Sequence, residues 1–401
     1  MKMEKKYVTI PEVLFFQEGP GVRNTQYTTS GVKLLNVANL VDGQLDLSTS
    51  DRYISEEEAY GKYKHFLCEV GDFIVASSGI KVDYIDKKMG YVEESMLPLC
   101  MNTSTIRFKV LDKEQLRIRY FMYYLKSFHF KEQLTRQITG SAQLNYGPSH
   151  LKRMFMPLVP LEFQDELIEK LDRIQLIIQS RKKELQLLDD LVKARFVELF
   201  GDCRLNPKEW GTVALGDIAE VGSSKRVFVE ELKETGIPFY RGTEVGAFAE
   251  GKFVIPELFI TQEHYEELIR ASGKPEVGDL LMPSICPDGR IWVVDTDEPF
   301  YFKDGRVLWV HGINKRFDPV FLLYSLKDRI MTDYSSIASG TTFAELKIFA
   351  LKQCQVFDVP IAEQRSFVAF IQQIDKSKFV VQKALDEAQL LFDSLMQEYF
   401  G

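Results

Sequence analysis

The chain reads ELFG at residues 198–201 and EYFG at 398–401, the same phrase displaced by 200 residues. A repeat of that length constrains a fold more than composition can, because one architecture must then be built twice. Laid over each other without a gap, residues 140–201 and 340–401 agree at 13 of 62 positions. These include Gly140/Gly340, Leu151/Leu351, Pro160/Pro360, Gln164/Gln364, Ile174/Ile374, Leu185/Leu385 and Phe200/Phe400. Upstream the register continues with small slips. VGDFIVASS (70–78) matches VGDLLMPSI (277–285) at an offset of 207, and GVKLLNVANL (31–40) resembles GIPFYRGTEV (236–245) at 205. The chain is therefore a tandem duplication, each copy having a variable front of about 160 residues and a back of about 40.

The backs read as long helices. Residues 161–200 contain no Gly or Pro, and Pro160 sits where a first helical turn tolerates it. Leu167, Leu171, Ile174, Ile178, Leu185, Leu188, Val192 and Leu199 fall on a 4–3 walk. The same walk in the second copy passes Phe367, Ile371, Ile374, Leu385, Phe392 and Tyr399. A heptad seam shared by both copies predicts two helices packed as a coiled coil. At 1.5 Å per residue each spans roughly 60 Å. Charges on the seam fall where the other copy is apolar (Arg181/Val381, Ile178/Lys378, Arg195/Leu395). Such mismatched positions favour this pairing over self-association.

The fronts differ from the backs. Short strand-like runs (KLLNVANL, DFIVASS, STIRFKV, RIWVVDTD) are punctuated by Gly, Asp, Asn and Pro. Each front also carries one helical stretch, 114–134 in the first and 318–334 in the second. The fold class expected is α+β. Two mainly β domains at 1–160 and 202–360 each precede a long helix, at 161–201 and 361–401.

Composition narrows the function. No run of about 18 apolar residues exists to span a membrane, and MKMEKKYVTI lacks the apolar stretch of a signal peptide. Five widely spaced cysteines without a CxxC suit reduced thiols, so a cytoplasmic location is expected. The net charge of −8 is unevenly spread: residues 1–160 carry +3 and residues 202–360 carry −7. A DNA-binding face needs local cations rather than a basic chain, so overall acidity excludes nothing.

Reactive groups are not repeated at matched positions. The five histidines have no metal-ligand spacing, and neither HExxH nor a GxxxxGK[ST] loop occurs. Asp288, Glu345 and Lys347 offer a nuclease-like set, but the first copy lacks it. What recurs are glycine-bounded turns with short polar side chains: ASSGIK (76–81) opposite PSICPDGR (283–290), and TGSAQLNY (139–146) opposite SGTTFAEL (339–346). Asn36 and Arg241 occupy matched strand ends. Such side chains bond phosphates and base edges. The same frame carrying different contacts is what two related readers of different targets require.

At this point the chain resembles the specificity (S) subunits of type I restriction–modification systems. The resemblance is carried by GSAQLNYGPSHLKRMFMPLVPLEFQDELIEKLDRI running on to LLDDLVKARFVELFG, and by SGTTFAELKIFALKQCQVFDVPIAEQ running to LMQEYFG. A Gly-Ser/Thr turn, an apolar strand, P-x-x-x-Q, a long helix and a closing x-x-F-G form that family's conserved-region pattern. NPKEWGTVALGDIAEV (206–221) matches its usual opening to a target recognition domain, whereas the first copy opens on KYVTIPEV without the tryptophan.

The resemblance implies a non-catalytic chain. Each front would read one half of a bipartite double-stranded DNA target, and the helices would pair antiparallel as a spacer about a pseudo-two-fold axis. Two methyltransferase subunits, with or without restriction subunits, would be the partners. S-adenosylmethionine, ATP and Mg would belong to those partners, with no cofactor and no metal on this chain. The expected DNA-contacting residues are Arg23, Asn24, Asn36, Ser77, Ser78, Lys81, Ser141, Gln143 and Asn145 in the first front. In the second they are Lys225, Arg226, Arg241, Thr243, Ser284, Arg290, Thr341 and Thr342. The charge asymmetry suggests that the first domain makes more phosphate contacts. The alternatives are a coiled-coil scaffold that binds other proteins without DNA specificity, and an enzyme with an unrecognised site.

Overall fold

The computed structural model describes residues 5–138, 144–340 and 344–401. The chain forms two compact units, Met1–Lys182 with Lys383–Gly401, and Lys183–Gln382. The long helices run Leu161–Phe200 and Ile361–Phe400, so each unit comprises one front and half of each helix.

The first unit is built on an antiparallel four-stranded sheet in the order Leu14–Glu18, Thr105–Val110, Phe73–Ala76, Met89–Tyr91. Phe73–Ala76 is buried at every residue, which suits its continuous apolar run rather than an alternating one. A smaller sheet sets Val32–Leu35 between a parallel neighbour, Leu99–Met101, and an antiparallel one, Tyr53–Ile54. Lys6–Thr9 pairs antiparallel with Phe155–Leu158, the strand that leads into the first long helix.

The second unit repeats this order. Its four-stranded sheet runs Glu220–Gly222, Val307–His311, Leu280–Pro283, Trp292–Val293. Ile237–Tyr240 lies between parallel Tyr301–Phe302 and antiparallel Phe259–Ile260, and Thr212–Ala214 pairs with Gln355–Phe357. The duplication read from sequence is thus a duplication of sheet topology. The copies diverge in their connections: the second unit inserts helices Gly242–Ala249 and Gln262–Ser272 where the first has a 3-10 turn, Val37–Asn39, and the short helix Glu56–Tyr60.

The helical stretch expected at 114–134 is two helices, Ile118–Lys126 and Phe128–Gln137. Ser127 makes the break. It has extended backbone (φ −70°, ψ 154°), and its hydroxyl accepts the Phe130 N–H at 3.2 Å, a cap that competes with helix continuation. In the second unit, Asp318 caps the helical run Pro319–Ile337 by accepting the Val320 N–H at 2.9 Å, and the run is kinked at Asp333 (φ −117°, ψ 15°).

The glutamine of P-x-x-x-Q, present in both copies, acts in the same way twice. Gln164 and Gln364 are fully buried. The Gln164 carbonyl accepts the Arg117 N–H at 2.9 Å, and its amide donates to the Gln115 and Val159 carbonyls, each at 2.8 Å. Gln364 accepts from the Asp318 N–H at 2.8 Å and donates to Arg316 and Val359 at 3.0 and 2.7 Å. Each side chain satisfies three backbone groups where a front helix meets a long helix, a task that needs one acceptor and two donors on one side chain.

Within each unit the helical halves pack antiparallel. In the first, Leu167 and Leu171 share a core with Met396 and Phe400. In the second, Phe196 and Phe200 meet Phe367 at ring-centroid distances of 5.5 and 5.6 Å, while Asp189 pairs with Lys378. Leu171, Ile174, Ile178, Ile371, Ile374, Val381 and Leu385 are buried, and Leu185, Leu188 and Phe392 are half-buried. Past Val192 the buried positions leave the 4–3 walk: Phe196 and Phe200 are inside, while Arg195 and Leu199 are not. The last turns bury against the fronts as well as against helix, with Phe200 5.0 Å from Phe321 and Phe400 5.0 Å from Tyr120.

Candidate nucleic-acid interface

In the first unit several of the polar residues singled out from sequence meet at one turn, Asn102–Thr105, which enters the central strand. Asn102 is 1% exposed and uses both ends of its amide. Its Oδ1 accepts from the backbone N–H of Val22 (3.2 Å) and Thr103 (2.8 Å), and its Nδ2 donates to Asn36 Oδ1 at 2.9 Å. Gly19 is required beside it, since a Cβ there would lie 2.0 Å from the Asn102 carbonyl oxygen. Ser104 takes positive φ (68°), and its hydroxyl bonds that of Ser78 at 2.6 Å. The Ser77 N–H donates to the Ser104 carbonyl (2.8 Å), and the Ser77 carbonyl accepts from Tyr146 N–H (2.9 Å). Asn145 pairs with Ser78 in a short antiparallel ladder.

The turn therefore gathers Asn36, Ser77, Ser78, Asn145 and the loop bearing Arg23 and Asn24. Asn36 and Ser77 are buried and hold the framework, whereas Arg23, Asn24, Lys81 and Asn145 are exposed. Ser141 and Gln143 lie outside the described residues, as do Thr341 and Thr342.

The second unit rebuilds the frame with other side chains. The Ser284 N–H donates to the Arg306 carbonyl (2.9 Å), and the Ser284 carbonyl accepts from Leu346 N–H (2.7 Å), the counterparts of the two bonds at Ser77. Arg241 caps helix Gly242–Ala249, its backbone N–H donating to Glu244 Oε2 at 2.8 Å, just as the matched Asn36 N–H donates to Asn39 Oδ1 at 2.9 Å. Burial pushes the Glu244 carboxyl up, but its bonds to Arg241 outweigh this and leave it below the usual range. Gly246 admits Arg290, whose Nη1 would be 2.9 Å from a Cβ there. The candidate arginines are paired: Arg226 with Asp304 (3.1 Å), Arg241 with Glu244 and Glu257 (2.5 and 3.2 Å), Arg290 with Asp288 and Glu250 (2.8 and 3.6 Å). Lys225 and Thr243 are exposed, and Ser284 is buried.

Asp288 of the nuclease-like set is bonded to Arg290, and Glu345 to Arg306 and Lys347. Among the described residues no group of three or more His, Cys, Asp or Glu is placed to hold a metal ion, and no helix is long and apolar enough to cross a membrane. Sequence reasoning missed Asn102, Ser104 and Asp304. Their partners lie tens of residues away, and no local pattern marks them.

The family model for the type I restriction modification DNA specificity domain matches residues 23–189 and, separately, residues 207–388. The chain belongs to that family. A putative type I restriction enzyme specificity subunit from Haemophilus influenzae is 25% identical over 268 residues, covering 66% of each chain. A type I restriction enzyme specificity subunit from Methanocaldococcus jannaschii is 25% identical over 190 residues, 46% of this chain and 43% of that one. The chain thus spans just under two thirds of the first relative's length and less than half of the second's. The fold is that of solved type I S subunits. The S subunit from M. genitalium aligns at a TM-score of 0.55 with 15% identity, over 100% of this chain and 96% of that one. A chain from a structure of the assembly and conformational transition of a type I R-M system aligns at 0.57 with 16% identity, over 99% and 97%.

Proposed function

We propose that this chain is the non-catalytic DNA-recognition subunit of a cytoplasmic type I restriction–modification complex, each front reading one half of a bipartite target. One observation carries the reading: the family's specificity domain matches twice, once over each copy of a framework whose buried hydrogen bonds are kept while its exposed side chains change. Arg23, Asn24, Lys81 and Asn145 in the first unit, and Lys225, Arg226, Arg241, Thr243 and Arg290 in the second, are the proposed DNA contacts. Asn36, Ser77, Ser78 and Ser284 orient the loops that present them, and the long helices fix the gap between half-sites.

Two methyltransferase subunits would bring S-adenosylmethionine, and restriction subunits ATP and Mg. Their proposed footing is the apolar surface that the long helices leave open, including Leu176 and Leu390 in the first unit and Leu187 and Phe379 in the second. The experiment is selection of random duplexes on the purified complex of this chain with its methyltransferase subunits. Enrichment of two short blocks at a fixed gap is expected. A soluble complex that enriches nothing would remove the recognition role and leave a protein-binding scaffold.

A further inference from the structure

The arginines proposed to meet DNA are held in opposite states in the two units. Among the described residues, Arg23 and Lys81 of the first unit, and Lys225 of the second, have no carboxylate partner. In the second unit Arg226, Arg241 and Arg290 are each paired with carboxylates of that same unit, at 2.5–3.6 Å. These pairs are largely solvated: the arginine side chains are 34–66% exposed, so the bonds hold weakly and can be exchanged. Glu250 and Glu257 stand at the two ends of one irregular segment and reach different arginines, Arg290 and Arg241. Asp304 and Asp288 sit in tight turns of their own.

Resting on the DNA-reading role above, we infer that Asp304, Asp288, Glu250 and Glu257 are built-in phosphate substitutes that screen the second unit's arginines from non-specific DNA. The physics is an exchange of counterions. A free cation that meets a phosphate releases a condensed cation from DNA, which makes binding steeply salt-dependent. An arginine already neutralised by a carboxylate gains little, because the carboxylate it leaves behind takes a cation up again. The second unit's arginine–phosphate contacts are therefore nearly salt-neutral. They form only where base contacts supply the remaining free energy, and the first unit supplies the non-specific grip.

The test uses the assembled complex with its methyltransferase subunits. Asp288→Asn, Glu250→Gln and Asp304→Asn together free Arg290 and Arg226 with little change of shape. Glu250 and Asp304 also pair Lys252 and Lys303, so Lys252→Gln and Lys303→Gln are carried in every complex compared. Glu234→Gln, Glu263→Gln and Glu267→Gln make the same charge change at exposed carboxylates of the same unit. Binding of a duplex without the target is measured from 50 to 200 mM salt. The freed variant is expected to steepen the log–log salt slope by about 0.9 per arginine, so fourfold dilution of salt shifts its affinity relative to the charge-matched control by about 12-fold. Slopes equal to the control's, from a wild-type complex that still methylates a two-part motif, would overturn the inference. A wild-type complex that methylates no motif would instead remove the recognition reading itself. Should the triple variant fail to assemble, Asp304→Asn alone decides, with half the change in slope expected.

Discussion

Gln164→Leu is the sharpest perturbation of the framework. Leucine keeps the volume but strands the Arg117 N–H and the Gln115 and Val159 carbonyls, all bonded to Gln164 at 2.8–2.9 Å. An orphaned buried backbone group costs about 1–3 kcal/mol. One of the three bonds is fully buried and two are partly so, which puts the sum at about 3 kcal/mol, less whatever the apolar side chain regains. With a urea m-value of about 2–3 kcal/mol/M, the unfolding midpoint should fall by about 1 M. Gln364→Leu should do the same to the second unit. The assay is hydrogen exchange in urea, read at strands Phe73–Ala76 and Leu280–Pro283, so that each unit reports separately. Gln186→Leu is the control: its amide bonds only the exposed Asp190, and a change below about 0.5 kcal/mol is expected. If Gln164→Leu moved the first unit no further than Gln186→Leu moves either, the buried amide would not be what joins front to helix.

Arg107 pairs with buried Asp72 at 3.1 Å and donates to the Leu67 and His65 carbonyls, so Arg107→Met should destabilise the first unit by about 3 kcal/mol. Because Lys109 also reaches Asp72 at 3.2 Å, adding Asp72→Asn should recover none of it in denaturant titrations. Burial raises the pKa of Asp279, which accepts the Trp309 indole N–H at 2.8 Å. A raised carboxyl favours folding while protonated, so its contribution is full below the unfolded value of about 4 and is lost as pH rises through the folded value. Wild-type stability should accordingly fall relative to Asp279→Asn as pH rises above about 4, and parallel pH curves would refute this. Arg23→Gln and Lys81→Gln should each flatten the salt slope of DNA binding by about 0.9, because neither cation has an internal carboxylate to fall back on. Unchanged slopes would place the first unit's phosphate contacts elsewhere.

The elements legible in the sequence were those whose signal is periodic or repeated. The long helices followed from forty residues without Gly or Pro, and the doubled topology from matches near an offset of 200. Gln164 and Gln364 stood out as identities, though only the structure shows what they bond. Ser127 was hidden because a single serine inside an apolar helical pattern reads as a helix residue until its hydroxyl is seen to cap the next helix. The burial of Phe196 and Met396 was hidden because the 4–3 rule assumes that only the other helix is being packed against, whereas these turns also meet a front domain. At the interface, sequence found the polar loops but not their state. Nothing near Arg226 in the chain announces Asp304, 78 residues on, and nothing near Asn36 announces Asn102.

The central claim is that this chain gives a methyltransferase its DNA sequence. The direct measurement is genome-wide adenine methylation in a methylation-free host that expresses the partner methyltransferase subunits with or without this chain. A two-part motif with a fixed gap, appearing only when the chain is present, is the expected result. Methylation that is absent, or unchanged by the chain although the complex assembles, would contradict the account.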